Sequence, residues 1–339
     1  MGDIKPTEEI SVSTELTETG IKASIKSRAL SAWDRYWGSR ADKRRSPIDA
    51  EIAEINAIAN ARVKIIDVLG DLGVDKLKHD PSFANRAVDA FLPSLLRRQQ
   101  NKDAILDIAL EDLRHNPGTD GQANEGPQKL DDGFLDRFER YAEDATDEQV
   151  RERWAKVLTS EIRKPGTFSI KVLRVIDEMD SDTARAFENV CQNRLTNVLP
   201  KALTDELSFA TRYLLTTSEL LLEPGFGQVR KAAVVTDFDS NDWWFWPFGS
   251  IALAMRKTAN LPPHMANVLH IAEDKPALPT YVLTDVAQRI ASILPDHSND
   301  TIRALAKKLI AVAPGSELHL CFRETEGADW DFVEQITNE

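Results

Sequence analysis

The sequence predicts a mainly α-helical protein: an N-terminal helical hairpin or bundle, a central all-helical module and a small α+β domain at the C-terminal end. Three observations lead there. Apolar residues recur at steps of three and four through most of the first 195 positions, the period of helices that bury one side. One segment, His115 to Lys129, is loaded with Gly, Pro, Asn and Gln and reads as a linker. Runs rich in β-branched and aromatic residues are confined to positions beyond 200. The expected divisions are a flexible tail over 1–20, a helical region with a basic N-terminal arm over 21–114, the linker over 115–129, a helical module over 130–199 and the α+β domain over 200–339.

Taken in order, the tail is rich in Thr, Ser and Glu and has no sustained period. From there Ile21, Ile25, Ala29, Ala32, Trp33, Tyr36 and Trp37 form one helical stripe, with Lys22, Lys26, Arg28 and Arg35 on the other side. A second helix is expected from Pro47 to about Gly70, where Ile48, Ile52, Ile55, Ala59, Arg62, Ile66 and Leu69 step by four and three like a coiled-coil seam. That seam suits a helical hairpin or a dimer, and Arg62 is its irregularity. Phe83, Val88, Phe91, Leu92 and Leu95 predict one further helix, and Ile105, Ile108, Ala109 and Leu113 another.

Beyond the linker, Phe134, Leu135, Phe138 and Tyr141 mark a helix, and Val150, Trp154, Val157 and Leu158 mark the next, which Pro165-Gly166 ends. Ile170, Val172, Leu173 and Ile176 restart the pattern, and Ala184, Phe187 and Val190 follow Asp180-Ser181. A helix is expected near Leu207–Leu222, β-favouring segments at Val229–Phe238, Trp244–Met255 and Glu317–Phe322, and helices near Thr284–Leu294 and Thr301–Val312.

Net charge is −13, and it is uneven: residues 1–114 sum to −1, residues 115–199 to −5 and residues 200–339 to −7. A phosphate-binding surface needs clustered positive charge, so general nucleic-acid binding is disfavoured. Cys191 and Cys321 each sit in an apolar pattern and read as small buried hydrophobes. No apolar signal core follows Met1 and no run reaches the ~18 apolar residues of a membrane span, so the cytoplasm is expected, with the inner-membrane periphery as the alternative.

The chemistry-bearing patterns are sparse. The six histidines lack metal-ligand spacing, the turn Glu223-Pro224-Gly225-Phe226-Gly227 lacks the lysine of a phosphate cradle, and no nucleophile elbow is present. No catalytic residue, metal or cofactor is therefore expected, and the protein does not read as an enzyme. Asp237, Asp239 and Asp242 read as solvated loop carboxylates rather than a cation site.

Two clusters are candidates for contact. In the run Trp243 to Phe248, Trp243, Trp244 and Trp246 suit a partner or planar ligand, or a bilayer interface; the plainer reading is a core strand. In the N-terminal arm, Lys22, Lys26, Arg28, Arg35, Arg40, Lys43, Arg44 and Arg45 suit an anionic surface, and the plainer reading is a helix docked on the protein's own core. Glu161 is a third marked residue. At about 100° per residue from Val150, Val157 falls near −20°, Trp154 near 40°, Leu158 near 80° and Glu161 near 20°. Glu161 thus points into the apolar side, where it is expected to brace the Pro165-Gly166 turn by accepting N–H groups of the helix that restarts around Ser169.

The string from Trp154 to Phe187 resembles the bacterial domain of unknown function 2806 family, through Trp154, Leu158, Glu161, Pro165, Gly166, Phe168, Ser169, Leu173, Asp182, Ala184 and Phe187. Pro279 to Leu294 is similar to that family's C-terminal segment, with Ala287 where a glycine is expected. The Pro-Gly segment also resembles, over a shorter stretch, the abortive infection alpha family, which implies a role in phage defence. The expectation is a non-enzymatic cytoplasmic interaction or regulatory protein of bacterial type with a protein partner and a candidate homo-oligomer seam at 48–70. The alternatives are a peripheral membrane-active effector, and a nucleic-acid-binding regulator whose Tyr281–Thr284 and following helix suit a winged-helix-like C-terminal domain.

Overall fold

The computed structural model describes residues 23–37, 81–118, 126–225, 228–259, 261, 264–265, 267–325 and 327–337. The expected tail and the 48–70 seam with Arg62 lie outside them. The chain falls into two compact units, up to Leu173 and from Arg174.

The first unit is helical. Helix α1 spans Ala23–Trp37, α2 Pro81–His115, α3 Asp132–Glu143 and α4 Glu148–Arg163, and α5, Ile170–Glu178, begins in it. Short acidic side chains start two of these helices: Asp131 accepts the Phe134 N–H at 2.9 Å and Asp147 that of Gln149 at 2.9 Å, each meeting a backbone donor that the first turn leaves over. Helix α1 buries Ile25, Ala29, Ala32 and Trp33. Helix α2 is continuous where the spacing predicts two helices. Its second half buries Ile105, Leu106, Ala109, Leu110 and Leu113 and the helix packs on α3 and α4, whereas Phe91 and Leu95 stay exposed. The polar stretch Arg97 to Asp103 between the two apolar groups consists largely of good helix formers.

The second unit overturns the expectation of a mainly α protein with a small C-terminal domain. About 50% of the described residues are helical and about 20% are strand, and the C-terminal half holds two antiparallel sheets. After α6 (Ser181–Cys191) come β1 (Val198–Pro200), α7 (Lys201–Thr204), α8 (Phe209–Thr217), β2 (Val229–Lys231), β3 (Ala233–Thr236), β4 (Asp242–Phe248), β5 (Ile251–Arg256), β6 (His264–Met265), β7 (Leu269–Ala272), β8 (Lys275–Val282), α9 (Asp285–Ala291), α10 (Ser298–Val312), β9 (Leu318–Phe322) and β10 (Asp331–Ile336). One sheet runs β1-β8-β7-β6, with β2 also paired to β8; the other runs β10-β9-β5-β4-β3.

The extra strands escaped the sequence pattern for a physical reason. Strand β8 contains Pro276 and Pro279, which argue against a central strand because proline has no N–H for the ladder. Its strand partners change along its length, β7 over 275–277, β2 over 277–279 and β1 over 280–282, so Ala277 is where two of them overlap. Val229–Phe238, expected as one segment, is split. β2 pairs in the first sheet, the Ala232 N–H goes to Pro276 O at 2.9 Å, and β3 crosses to the second. Trp244–Met255 is a hairpin whose turn carries Gly249 at φ 72°, a left-handed conformation that suits glycine.

Alternation along β4 and β5 separates two cores. On one side Trp246, Phe248, Leu253 and Met255 join Leu318, Leu320 and the α10 residues Ile302, Leu305, Leu309 and Ile310, together with Val198, Leu269 and Leu278 of the first sheet. On the other side Trp243, Phe245, Ala252, Ala254 and Cys321 form a smaller cluster under Trp330.

Candidate functional site

The Trp154–Ser169 motif is a bracing arrangement. Trp154 is buried between Phe138, edge to face at 5.8 Å, and Tyr141, stacked at 5.3 Å. Leu158 and Phe168 are buried close to it in sequence, and Ser169 Oγ accepts the Val172 N–H at 3.4 Å at the start of α5. Glu161 is only 2% exposed. Its Oε1 accepts the Gly166 N–H at 2.6 Å and its Oε2 the Phe168 N–H at 3.0 Å. The donors are thus the turn itself, one step before the helix that the sequence pointed to. Pro165-Gly166 reverses the chain with Gly166 at φ 83°.

The basic arm is spent on the protein's own chain as far as it is described. Arg28 is fully buried, which removes it from the candidates for an anionic surface. Its guanidinium donates to Pro127 O at 2.7 Å and to Ile162 O and Arg163 O at 3.2 and 3.1 Å, meeting carbonyls that the last turn of α4 leaves over. Burial holds its pKa below the ordinary arginine value. Arg35 pairs with Asp132 and Asp136. Lys26 is half-buried. Lys22, Arg40, Lys43, Arg44 and Arg45 lie outside the described residues. A signal for Arg28 exists in the sequence: at about 100° per residue it stands near −60° from Ile25, beside Ala32 near −20°, at the margin of the buried stripe and not opposite it.

In the second unit Trp246 is fully buried, Trp243 is buried and Trp244 is half-buried. Around Trp243 lies a polar cluster that sequence reasoning missed, because its members come from three strands and a turn. Arg256 stacks over the Trp243 ring at 4.8 Å and meets Glu317 at 3.3 Å, and Glu317 also meets His319 at 3.0 Å. No reactive nucleophile accompanies His319 on β9, where Glu317 stands just before the strand. Cys321 is buried, and burial pushes its thiol up to about 12. Among the described residues no group of three His, Cys, Asp or Glu is placed to hold a metal ion, and no helix is long and apolar enough to cross a membrane.

Comparison with known proteins bears on the bracing motif. Residues 85–207 match the family described as protein of unknown function (DUF2806). The matched segment contains the whole Trp154–Phe187 string and ends before Pro279, so the likeness of Pro279–Leu294 lies outside it. No curated protein and no solved structure matches the chain.

Outside the family segment, the β3–β4 hairpin is the most open apolar feature. Among the described residues β3 ends its sheet and pairs with β4 alone. Val234 is 42% and Val235 41% exposed, and Phe238 at the tip is wholly exposed. The tip is nonetheless fixed. Asp237 Oδ1 accepts the N–H groups of Asp239 and Asn241 at 2.9 and 2.8 Å, and Oδ2 accepts Asn241 Nδ2 at 3.1 Å and Trp243 Nε1 at 2.9 Å. The Asn241 N–H and then the Trp243 indole hold its carboxyl at about 2. The Asp237 N–H bonds Asn241 O at 2.9 Å, so by antiparallel alternation Val235 and Ala233 face β4, and the amides of Val234 and Thr236 point away from it. The opposite edge, β10, is interrupted by an irregularity between Phe332 and Glu334, a device that blunts edges. β3 has none.

Proposed function

We propose that the protein is a non-enzymatic interaction or regulatory module of bacterial type, acting in the cytoplasm, and that it assembles by strand addition at β3. The observation that supports this reading is the regular apolar edge Ala233–Thr236 beside an exposed, rigidly mounted Phe238. The occupant is a second copy of the chain. The strand Ala233–Thr236 can meet its own copy antiparallel about Val234, the outward N–H and C=O of each Val234 meeting those of the other. A part in phage response is supported by the resemblance of the Pro165-Gly166 segment to the abortive infection alpha family. Following the assembly state of the native protein before and after infection tests that part.

Sedimentation of the full chain over a wide concentration range tests the assembly. The parent should form dimers as concentration rises. Val234→Pro removes the outward N–H that the second copy would meet, so it should stay monomeric with a circular dichroism spectrum close to the parent's. A parent that is monomeric throughout, or a dimer that Val234→Pro leaves intact, overturns the reading.

A further inference from the structure

A second feature of the C-terminal unit points to a small ligand and is independent of the β3 edge. Helix α8 and the segment Glu223–Pro224 enclose a cavity of about 340 Å³. Its rim carries Phe209 and Tyr213, 76% and 63% exposed, one turn apart on α8 with their rings stacked at 6.2 Å. Its wall carries Arg212 and Thr216, also one turn apart. Arg212 Nε and Thr216 Oγ1 are buried and have no hydrogen-bond partner among the described residues. Such groups normally find a partner, because leaving a buried donor unmet costs stability. Two exposed rings held in water on one helix face are a further cost without an internal return.

We infer that this cavity binds a small molecule that joins an anionic group, phosphate or carboxylate, to a flat ring. The anion accepts from the Arg212 guanidinium, whose planar fork matches both groups, and from the Thr216 hydroxyl. The ring lies against Tyr213 and Phe209, where stacking covers apolar surface on both sides. Glu223 also lines the cavity, and its exposed carboxylate sets the polarity of the other end: a ligand hydroxyl or amine there is favoured and a second anion is not. A single anionic group is therefore the rule for this site.

Calorimetric titration of the full chain tests the inference, with phenyl phosphate and benzoate as the two sources of the anion and inorganic phosphate and phenol as its separated halves. At least one of the joined probes should bind about tenfold or more tighter than either half, and whichever joined probe is tighter names the anion. Arg212→Gln and Tyr213→Ala should each weaken that probe about tenfold while the melting temperature stays near the parent's; Tyr213 is exposed, so its replacement keeps the test valid even if Arg212→Gln folds poorly. Failure of both joined probes to bind, binding no tighter than by inorganic phosphate alone, or affinity untouched by Tyr213→Ala overturns the inference. None of these outcomes depends on the oligomeric state.

Discussion

Replacing Glu161 is the sharpest perturbation of the first unit. Its two carboxylate oxygens serve different N–H groups, Gly166 at 2.6 Å and Phe168 at 3.0 Å, and the second bond is buried. In Glu161→Ala the Phe168 donor is stranded away from water, a penalty of about 1–3 kcal/mol, and the partly buried Gly166 donor loses a charged acceptor but regains some hydration, for up to about 1 kcal/mol more. The expected loss is roughly 1–4 kcal/mol. For a unit of this size each kcal/mol moves the midpoint by ~2–4 °C, so the variant should melt roughly 2–16 °C below the parent. Glu161→Gln should fall between, because its carbonyl oxygen can satisfy one N–H while its amide NH₂ faces the other. Thermal unfolding followed by circular dichroism at neutral pH is the assay. An Ala variant as stable as the parent, or a Gln variant no better than Ala, would refute the bracing argument.

Other consequences are open to measurement. Arg28→Met should keep the apolar stem but leave three carbonyls without their donor, costing roughly 2–4 kcal/mol in urea unfolding; a loss below about 0.5 kcal/mol would mean that water reaches those carbonyls. Asp237 is depressed from 3.8 to about 2, so its contribution to stability is present above about pH 4 and is lost as pH falls through about 2. Melting curves of the parent and of Asp237→Asn should accordingly differ most at and above pH 4 and converge toward pH 2, whereas a constant offset across that range would contradict the hydrogen-bonded carboxylate. Cys191 and Cys321, both pushed up to about 12 by burial, should resist iodoacetamide in the native protein and label on unfolding, as read by mass spectrometry; rapid native labelling of either would show that its strand or helix opens.

The sequence by itself determined what depends on neighbours along the chain. Helical period, capping and breaking are local, so α1, α3, α4 and α5 and the turn at Pro165-Gly166 are legible in spacing, and the inward direction of Glu161 follows from rotation about one helix axis. Tertiary structure decided whatever depends on residues far apart. Arg28 reads as one charge in a basic arm until carbonyls 134 and 135 positions away claim it, and no local pattern carries that information. The size of the C-terminal sheets was hidden in the same way. β8 becomes a strand because three short partners take its edges in turn and leave its prolines room, and β1, which pairs with it, is only three residues long. A helix closes its hydrogen bonds within itself, whereas a strand of three or four residues exists only when a distant segment supplies the other half of the ladder.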